Sequence, residues 1–523
     1  MAQLCPFNVT PLAMPRLANK LSFQNANYTS QDYNSLKARL ITLLKNNFAK
    51  DYNDISESSL AVMLIECWAA IADMLSFKID QLANEFFIDT VSEVENVFRL
   101  TKLVGFKPLP PLPSKAMFMA KTNSVYSRDI VLKCPVVVDL KELGMNVIYE
   151  LYPAGPNNNP VFGADIVIPA GQMFTEAIVG LEGATRTTTF TADGTANQVF
   201  TLPFENVYYK SISVAIDGVI WQEVESFSRS AKPEYMVDYE AYYKPSIIFG
   251  DNIAGLAPRV GSNILVKYRL PNHYTTEVIS GAFDTKVFTE LAGINSHVVV
   301  SIKNYTKSEY GYPGDDLFTI KKKLPKYIMS QNRAVTGADY KFLVDSFAMP
   351  YDGAIAKSNI VLRNHGCAGN VIDIIVLAKT AEYRMVRAND NLKTQLLAYI
   401  NKKKIFTDHV CIKDGEIISV DLNIDINLNK SQRNIEPEIR AKAINALEMF
   451  FALENWEFGQ SLKEKDIVKV LAGIKEIRNI EVGFTSSRSI EKGSGTEPVV
   501  TARYNEIVRP DNINISFVYE DEV

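Results

Sequence analysis

Residues 54–108 read DISESSLAVMLIECWAAIADMLSFKIDQLANEFFIDTVSEVENVFRLTKLVGFKP, and the spacing of their apolar side chains decides the architecture. Leu60, Leu64, Trp68, Ile71, Leu75, Leu82 and Phe86 recur at three, four or seven residues, so they share one side of a helix. Asp54 and Glu57 have capping-box spacing at its start. Thr90 and Glu93 repeat that spacing and predict a second helix bearing Val94, Val97, Phe98 and Val104. Gly105 can close it in the left-handed conformation, and Pro108 cannot continue it. A helix of about 30 residues is roughly 45 Å long, more than many small domains span. The shorter helix before it, with Leu36, Leu40, Leu43, Leu44 and Phe48, covers only part of such a stripe. Two arrangements satisfy the pattern: a helical hairpin with its own core, or a bundle completed by helices of another subunit.

Working outward, the chain of 523 residues is too long for one core and implies several domains. A net charge of −5 gives no electrostatic reason to expect nucleic acid or an anionic membrane as partner. No uninterrupted apolar run approaches the roughly 18 residues of a membrane span, so none is expected. The five cysteines, at 5, 67, 134, 367 and 411, are scattered, and reduced thiols are the expectation. Lys321, Lys322 and Lys323 read as a solvated helix face.

The expected fold class is α+β multidomain, with an N-terminal helical hairpin, middle β-rich domains and a C-terminal α+β module. Residues 1–27 form an N-terminal arm and 28–107 the helical domain, opened by Thr29 and Asp32. Lys107 to Pro113 is proline-rich and reads as a stiff linker, with a Pro-x-x-Pro docking motif as the other reading. From there the period changes to two: 108–184 and 271–310 form a β-rich domain, interrupted by a β module at 185–270. In that module Asp193-Gly194 and Asp217-Gly218 are hairpin signals and Trp221 is a core anchor. Residues 311–365 form a helical connector, with Pro325 bending or ending one helix and Thr336 and Asp339 starting another. Residues 366–523 form the C-terminal module. Its clearest element is the strand 419–429, with Val420, Leu422, Ile424, Ile426 and Leu428 on one face and Asp or Asn on the other. Helices follow, one with Pro437 in its first turn and one capped by Ser461 and Glu464.

No motif in the chain carries recognisable chemistry. Asp421, Asn423, Asp425 and Asn427 imitate a calcium loop, but Ile426 and Gln432 stand where Gly and Glu are needed. His365-Gly366-Cys367 lacks a third group to orient a base. The four histidines, at 273, 297, 365 and 409, have no metal-ligand spacing, and no phosphate loop is present. These negatives point to binding and geometry rather than catalysis, with no enzyme activity, cofactor or metal expected.

Four segments, in order, resemble the baseplate J-like, or baseplate wedge, family of contractile-tailed phages and related injection machines. They are Ile65-Glu66-Cys67-Trp68 through Phe77 with Leu103 to Pro108; Phe249-Gly250-Asp251 with Gly255, Pro258, Gly261 and Val266 to Arg269; Arg333-Ala334-Val335-Thr336-Gly337-Ala338-Asp339-Tyr340; and Trp456-Glu457-Phe458-Gly459. The chain departs from the family at Gly314-Asp315-Asp316-Leu317-Phe318, where Gly-x-Asp-x-Glu-Ser is usual. The resemblance implies a structural subunit of the virion tail, made in the host cytoplasm, with no nucleic-acid or membrane partner. It implies pairing with a second copy and with another baseplate wedge protein through the helical bundle. It further implies an inner ring that surrounds the central hub, carries the sheath initiator and changes diameter when the tail is triggered. In that reading the Leu60 to Phe86 stripe is the seam, Arg333, Thr336, Asp339 and Tyr340 lie at an interface or domain junction, and Trp456, Phe458 and Gly459 mark the C-terminal module. The other functional reading is a tail-associated receptor- or glycan-binding protein, with Trp221, Tyr208 and Tyr209 as stacking surfaces in the 185–270 module.

Overall fold

A computed structural model of the chain describes residues 32–48, 56, 59–139, 147–272, 278–290, 297–364, 370–379, 385–452, 455–474, 477, 479–486, 491–492 and 498–520. The arm at 1–27, Thr29, the Asp54–Glu57 pair and the His365–Gly369 turn lie outside the described residues.

The mixed α+β, multidomain character is as expected. Helix α1 (Tyr33–Phe48) follows Asp32, whose carboxylate accepts the Ser35 amide at 2.9 Å. Helix α2 (Leu60–Asn84) starts at the first residue of the apolar pattern and ends before its last, Phe86. Helix α3 (Val94–Val104) begins after Glu93, not at Thr90, whose hydroxyl donates to the Asn84 carbonyl at 2.6 Å. The turn that leads into it is held by Glu85, which accepts from Ser92 N at 2.9 Å and Glu93 N at 3.3 Å. Gly105, at φ 74°, closes α3 as predicted, with Phe106 N bonding Thr101 O and Gly105 N bonding Lys102 O.

The proline-rich stretch is not an exposed spacer. Pro108 and residues 110–114 are buried, Leu109 N donates to Asp315 Oδ2 at 3.0 Å, and Leu112 exchanges backbone bonds with Tyr312. Burial also removes the Pro-x-x-Pro docking reading. Strands β1 (Lys115–Thr122), β2 (Val136–Asp139), β3 (Ile148–Pro153), β4 (Phe174–Glu182), β5 (Asp284–Glu290) and β6 (His297–Asn304) form one sheet, ordered β5-β6-β1-β4-β3-β2. Phe118, Tyr149 and Phe283 stack at its centre, and a Cβ on Gly180 would come within 2.3 Å of the Phe118 ring.

Between β4 and β5, two four-stranded sheets enclose Trp221, Tyr235, Phe249 and Val266. Asp217 (φ 49°) and Gly218 (φ 84°) make the predicted hairpin turn. Asp193-Gly194 does not: Ala184–Thr191 pairs with Asn263–Leu270, while Val199–Thr201 crosses to the other sheet. The two chain crossings into this module are locked by charge. Arg269 pairs with Glu150 and donates to the carbonyls of Leu181 at 3.1 Å and Glu182 at 3.0 Å. Glu182 in turn accepts from Tyr208 and from Asn272 N.

The rest of the chain is built on β7 (Gly353–Asn364), β8 (Asn370–Lys379) and β9 (Asp408–Asp414). Strand β8 is central, antiparallel to β7 and parallel to β9, and is buried on both faces. Since β7 and β8 pair along their length, the boundary drawn between 365 and 366 falls inside a paired hairpin. One face of this sheet is covered by α4 (Leu317–Ser330), α5 (Gly337–Asp345), α6 (Asp390–Asn401) and α3. On the other side lies β10 (Glu416–Asn429), the centre of a three-stranded sheet, covered by α7 (Glu436–Phe450) and α8 (Glu464–Leu471). Its neighbours are β11 (Asn479–Ser486) and β12 (Glu506–Glu520). Val420, Leu422, Ile424, Ile426 and Leu428 are all fully buried.

Three further local expectations change. Pro325 sits inside α4 without ending it. The Lys321 to Lys323 run is not a solvated face: Lys321 is buried and donates to Asp89 O, and Lys323 pairs with buried Asp315 at 2.6 Å. Helix α8 starts after Lys463, where Asp466 accepts the Lys463 amide at 3.2 Å, rather than at Ser461. Cys411 is disulfide-bonded, against the expectation of reduced thiols, whereas Cys67 and Cys134 are free.

Candidate interaction surface

Helix α2 has two faces of opposite character. Val62, Ala69 and Ser76, seven residues apart, are its buried positions along the length that α1 accompanies, and Lys37 of α1 meets Glu66 at 2.6 Å. Small side chains let two helices approach closely, so the α1–α2 contact uses the narrow side of α2. The broad side carries Leu60, Leu64, Trp68, Ile71, Leu75 and Leu82, with Phe86 just past the helix end, and all of these are between 45% and 71% exposed. Met63, Met74, Phe77 and Ile79 are exposed as well. A contiguous apolar surface of this extent on a folded chain marks an interaction site. Each such side chain contributes roughly 1.5–3 kcal/mol when it is taken out of water.

The same helix revises one expectation from composition. An 18-residue window of α2 has a mean hydropathy of 1.8, with 11% of it buried, so by length and composition this helix can cross a membrane. Glu66 and Asp73 interrupt the run that sequence inspection looked for, but both are half-buried positions away from the stripe.

The other sequence-singled residues serve the interior. Thr336 accepts the Asp339 amide at 3.2 Å and Asp339 accepts the Thr336 amide at 2.8 Å, a reciprocal cap on α5. Tyr340 is buried and its hydroxyl donates to Asp408 Oδ2 at 2.9 Å. Arg333 and Thr336 of that motif set are exposed, and Asp339 is half-buried. Trp456 is packed against Phe450 at 5.1 Å and Phe451 at 5.4 Å. Phe458 is buried against Gly415, where a Cβ would lie 2.9 Å from its ring, and Gly459 takes φ 70°.

The fold brings the two C-terminal motifs together. Lys341, next to Tyr340, and Lys357 on β7 both pair with Glu457, at 2.8 and 3.0 Å. Burial raises the Glu457 carboxyl, but the two lysines outweigh it and hold the carboxyl below its ordinary range. Close by, burial leaves Asp345 raised, although it accepts from Ser358 Oγ at 2.6 Å. Sequence inspection missed this cluster because Glu457 is far along the chain from Lys341 and Lys357. Asp315, part of the departure from the family pattern, is buried and accepts from Lys323, Tyr312 and Leu109. Asp316 next to it caps α4. Among the described residues no group of His, Cys, Asp and Glu is arranged to hold a metal ion.

Residues 32–103, which comprise α1, α2 and nearly all of α3, match the family model for the bacteriophage baseplate protein, N-terminal domain. The segment that carries the exposed stripe is thus similar to a baseplate domain, and the class it points to is a baseplate-related structural protein. Among solved structures, the chain is similar to one in the six-fold symmetrised cryo-EM structure of the anti-feeding prophage baseplate. That likeness covers 91% of this chain and 90% of the other, at 10% identity and a TM-score of 0.34. A second is to a chain of the type VI secretion system TssK-TssF-TssG baseplate subcomplex, covering 67% of this chain and 96% of the other at 9% identity and a TM-score of 0.25. Scores at that level do not define a shared fold. No curated protein sequence matches the chain.

Proposed function

We propose that this chain is a non-enzymatic structural subunit of a contractile-tail baseplate, of the wedge kind. The α2 stripe joins it to helices of a second copy and of another baseplate wedge protein. The C-terminal modules contact neighbouring copies, closing an inner ring around the hub that carries the sheath initiator and passes on the trigger for contraction. The protein is made in the host cytoplasm and works in the virion.

One observation carries this reading: the segment similar to a baseplate N-terminal domain is also the segment whose broad apolar face has no cover within the described chain. The test is co-expression of the full chain with the other helical proteins of its tail, followed by light scattering of the purified complex. A stable hetero-oligomer that Leu64→Asp with Ile71→Asp disperses is expected. A chain that stays monomeric beside every tail protein would sink the reading.

The hydropathy of α2 favours a second reading, insertion into a bilayer. Flotation of the full chain with phospholipid vesicles separates the two, since a bundle seam leaves the protein in the soluble fraction. The glycan-binding alternative loses support, because Trp221 and Tyr208 are both buried in the module that would present them.

A further inference from the structure

Phe406, in the turn between α6 and β9, is 98% exposed, the most exposed large apolar side chain among the described residues. It does not stand alone. Ala334 N bonds Lys403 O at 3.0 Å and Ala334 forms a parallel bridge with Lys404, which sets the exposed Val335 beside the exposed Ile405. Arg333 and Lys402 are exposed on the same two segments, so the aromatic knob has a cationic collar.

A complementary surface lies elsewhere on the chain. A half-open cleft of about 170 Å³ separates α3 from the start of α4, walled by Val94, Val97, Phe98, Leu317 and Ile320. An apolar cavity of about 150 Å³ is large enough to take a benzene ring. Asp316 and Tyr242 stand exposed at its mouth. Tyr242 and Tyr243 are held at φ 57° and 52°, a conformation costly for bulky side chains, and such strain concentrates where ligands are clamped.

We propose that Phe406 of one copy seats in the α3–α4 cleft of a second copy, with Arg333 and Lys402 facing Asp316. One chain carries both halves of the contact: an aromatic knob and an apolar cleft of aromatic size, a cationic collar and the acidic Asp316 at the cleft mouth, and unburied area on both sides. The cleft opens at the start of α4 and the knob lies past its end, about 20 Å away for a helix of that length, so a copy does not fill its own cleft. The contact is therefore head-to-tail, the kind that builds a ring when the rotation closes and a filament when it does not. It uses neither face of α2 and stands or falls separately from the α2 bundle.

The test is sedimentation velocity on the full chain across a concentration series, in a Leu64→Asp, Ile71→Asp background that removes association through α2. Self-association is expected in that background, and Phe406→Ala should weaken it about tenfold or more, as removal of an aromatic anchor does. Val94→Trp, which fills the cleft mouth without deleting core volume, should do the same. Mixing the two variants should restore a one-to-one pair, because one keeps its knob and the other its cleft. A background protein that is monomeric throughout, a Phe406→Ala protein that associates normally, or a mixture that fails to pair overturns the proposal.

Discussion

Helix α2 and strand β10 carry the two clearest periodic patterns in the chain, and the fold treats them in opposite ways. Val420, Leu422, Ile424, Ile426 and Leu428 of β10 are fully buried under α7 and α8. Leu60, Leu64, Trp68, Ile71, Leu75 and Leu82 of α2, and Phe86 just after it, are left largely in water. A period tells which face must be covered, but not whose atoms cover it. In β10 the cover follows within the next fifty residues of sequence. In α2 the adjacent helix takes only the narrow side, through Val62 and Ala69, so the broad side is left for something else. The contrast separates residues that hold this chain together from residues that hold it to others.

If that division is right, stability should fall steeply where the chain covers itself. The largest effect is expected at the charged lock between the six-stranded sheet and the 185–270 module. Glu150→Ala strands the Arg269 guanidinium in a buried site and should cost about 3–5 kcal/mol in denaturant unfolding. The lock also sets a pH dependence. Burial raises the Glu150 carboxyl, but Arg269 and the hydrogen bonds from Thr185 outweigh it, and the net shift is downward. A carboxyl depressed in the folded state contributes stability above its unfolded value and loses it as pH falls through the folded one. The wild-type chain should therefore loosen at this junction only below the ordinary glutamate range, and Glu150→Ala should flatten that acid limb.

Leu422→Ala tests the β10 side of the comparison directly. A fully buried leucine in a core with little room to collapse should cost about 2–5 kcal/mol. A smaller effect belongs to the α5 cap: Thr336→Ala removes one half of the reciprocal pair and should cost about 1 kcal/mol. Were Thr336→Ala to cost as much as Leu422→Ala, the motif around it would have a role beyond capping.

Much of the architecture was legible where the signal was local, though the Asp193-Gly194 turn and the Thr90 and Ser461 caps were not. The β10 alternation, the Gly105 stop, the Asp217-Gly218 turn and the Thr336–Asp339 cap depend on neighbours a few residues apart, and each is found in the structure. What the sequence concealed was long-range. Glu85, rather than Thr90, holds the turn into α3 because the end of α2 lies beside it, which no three-residue spacing encodes. Lys321 and Lys323 read as a solvated pair until Asp89 and Asp315 are brought beneath them. The stripe of α2 was visible as a pattern, yet only the placement of α1 shows which of its faces stays open. Phe406 and the α3–α4 cleft had no sequence signal, since exposure and concavity are properties of the assembled surface.

The smallest expected change in stability is also the one that decides the comparison. Leu64→Asp and Ile71→Asp place carboxylates on positions that are already 53% and 45% exposed, so neither strands a charge in a core. Surface changes of that kind usually stay within about 0.5 kcal/mol, and the melting curve of the isolated chain should scarcely move. Its helical circular dichroism should likewise be kept, because the α1-facing residues Val62 and Ala69 are untouched. An internal core behaves otherwise, since at Leu422 in β10 even truncation to Ala should cost stability. If Leu64→Asp unfolds α2, the stripe is covered by this chain's own residues and the two regions are alike after all. If the fold is kept while the co-purified tail partner is lost, the periodicity of α2 was written for another molecule.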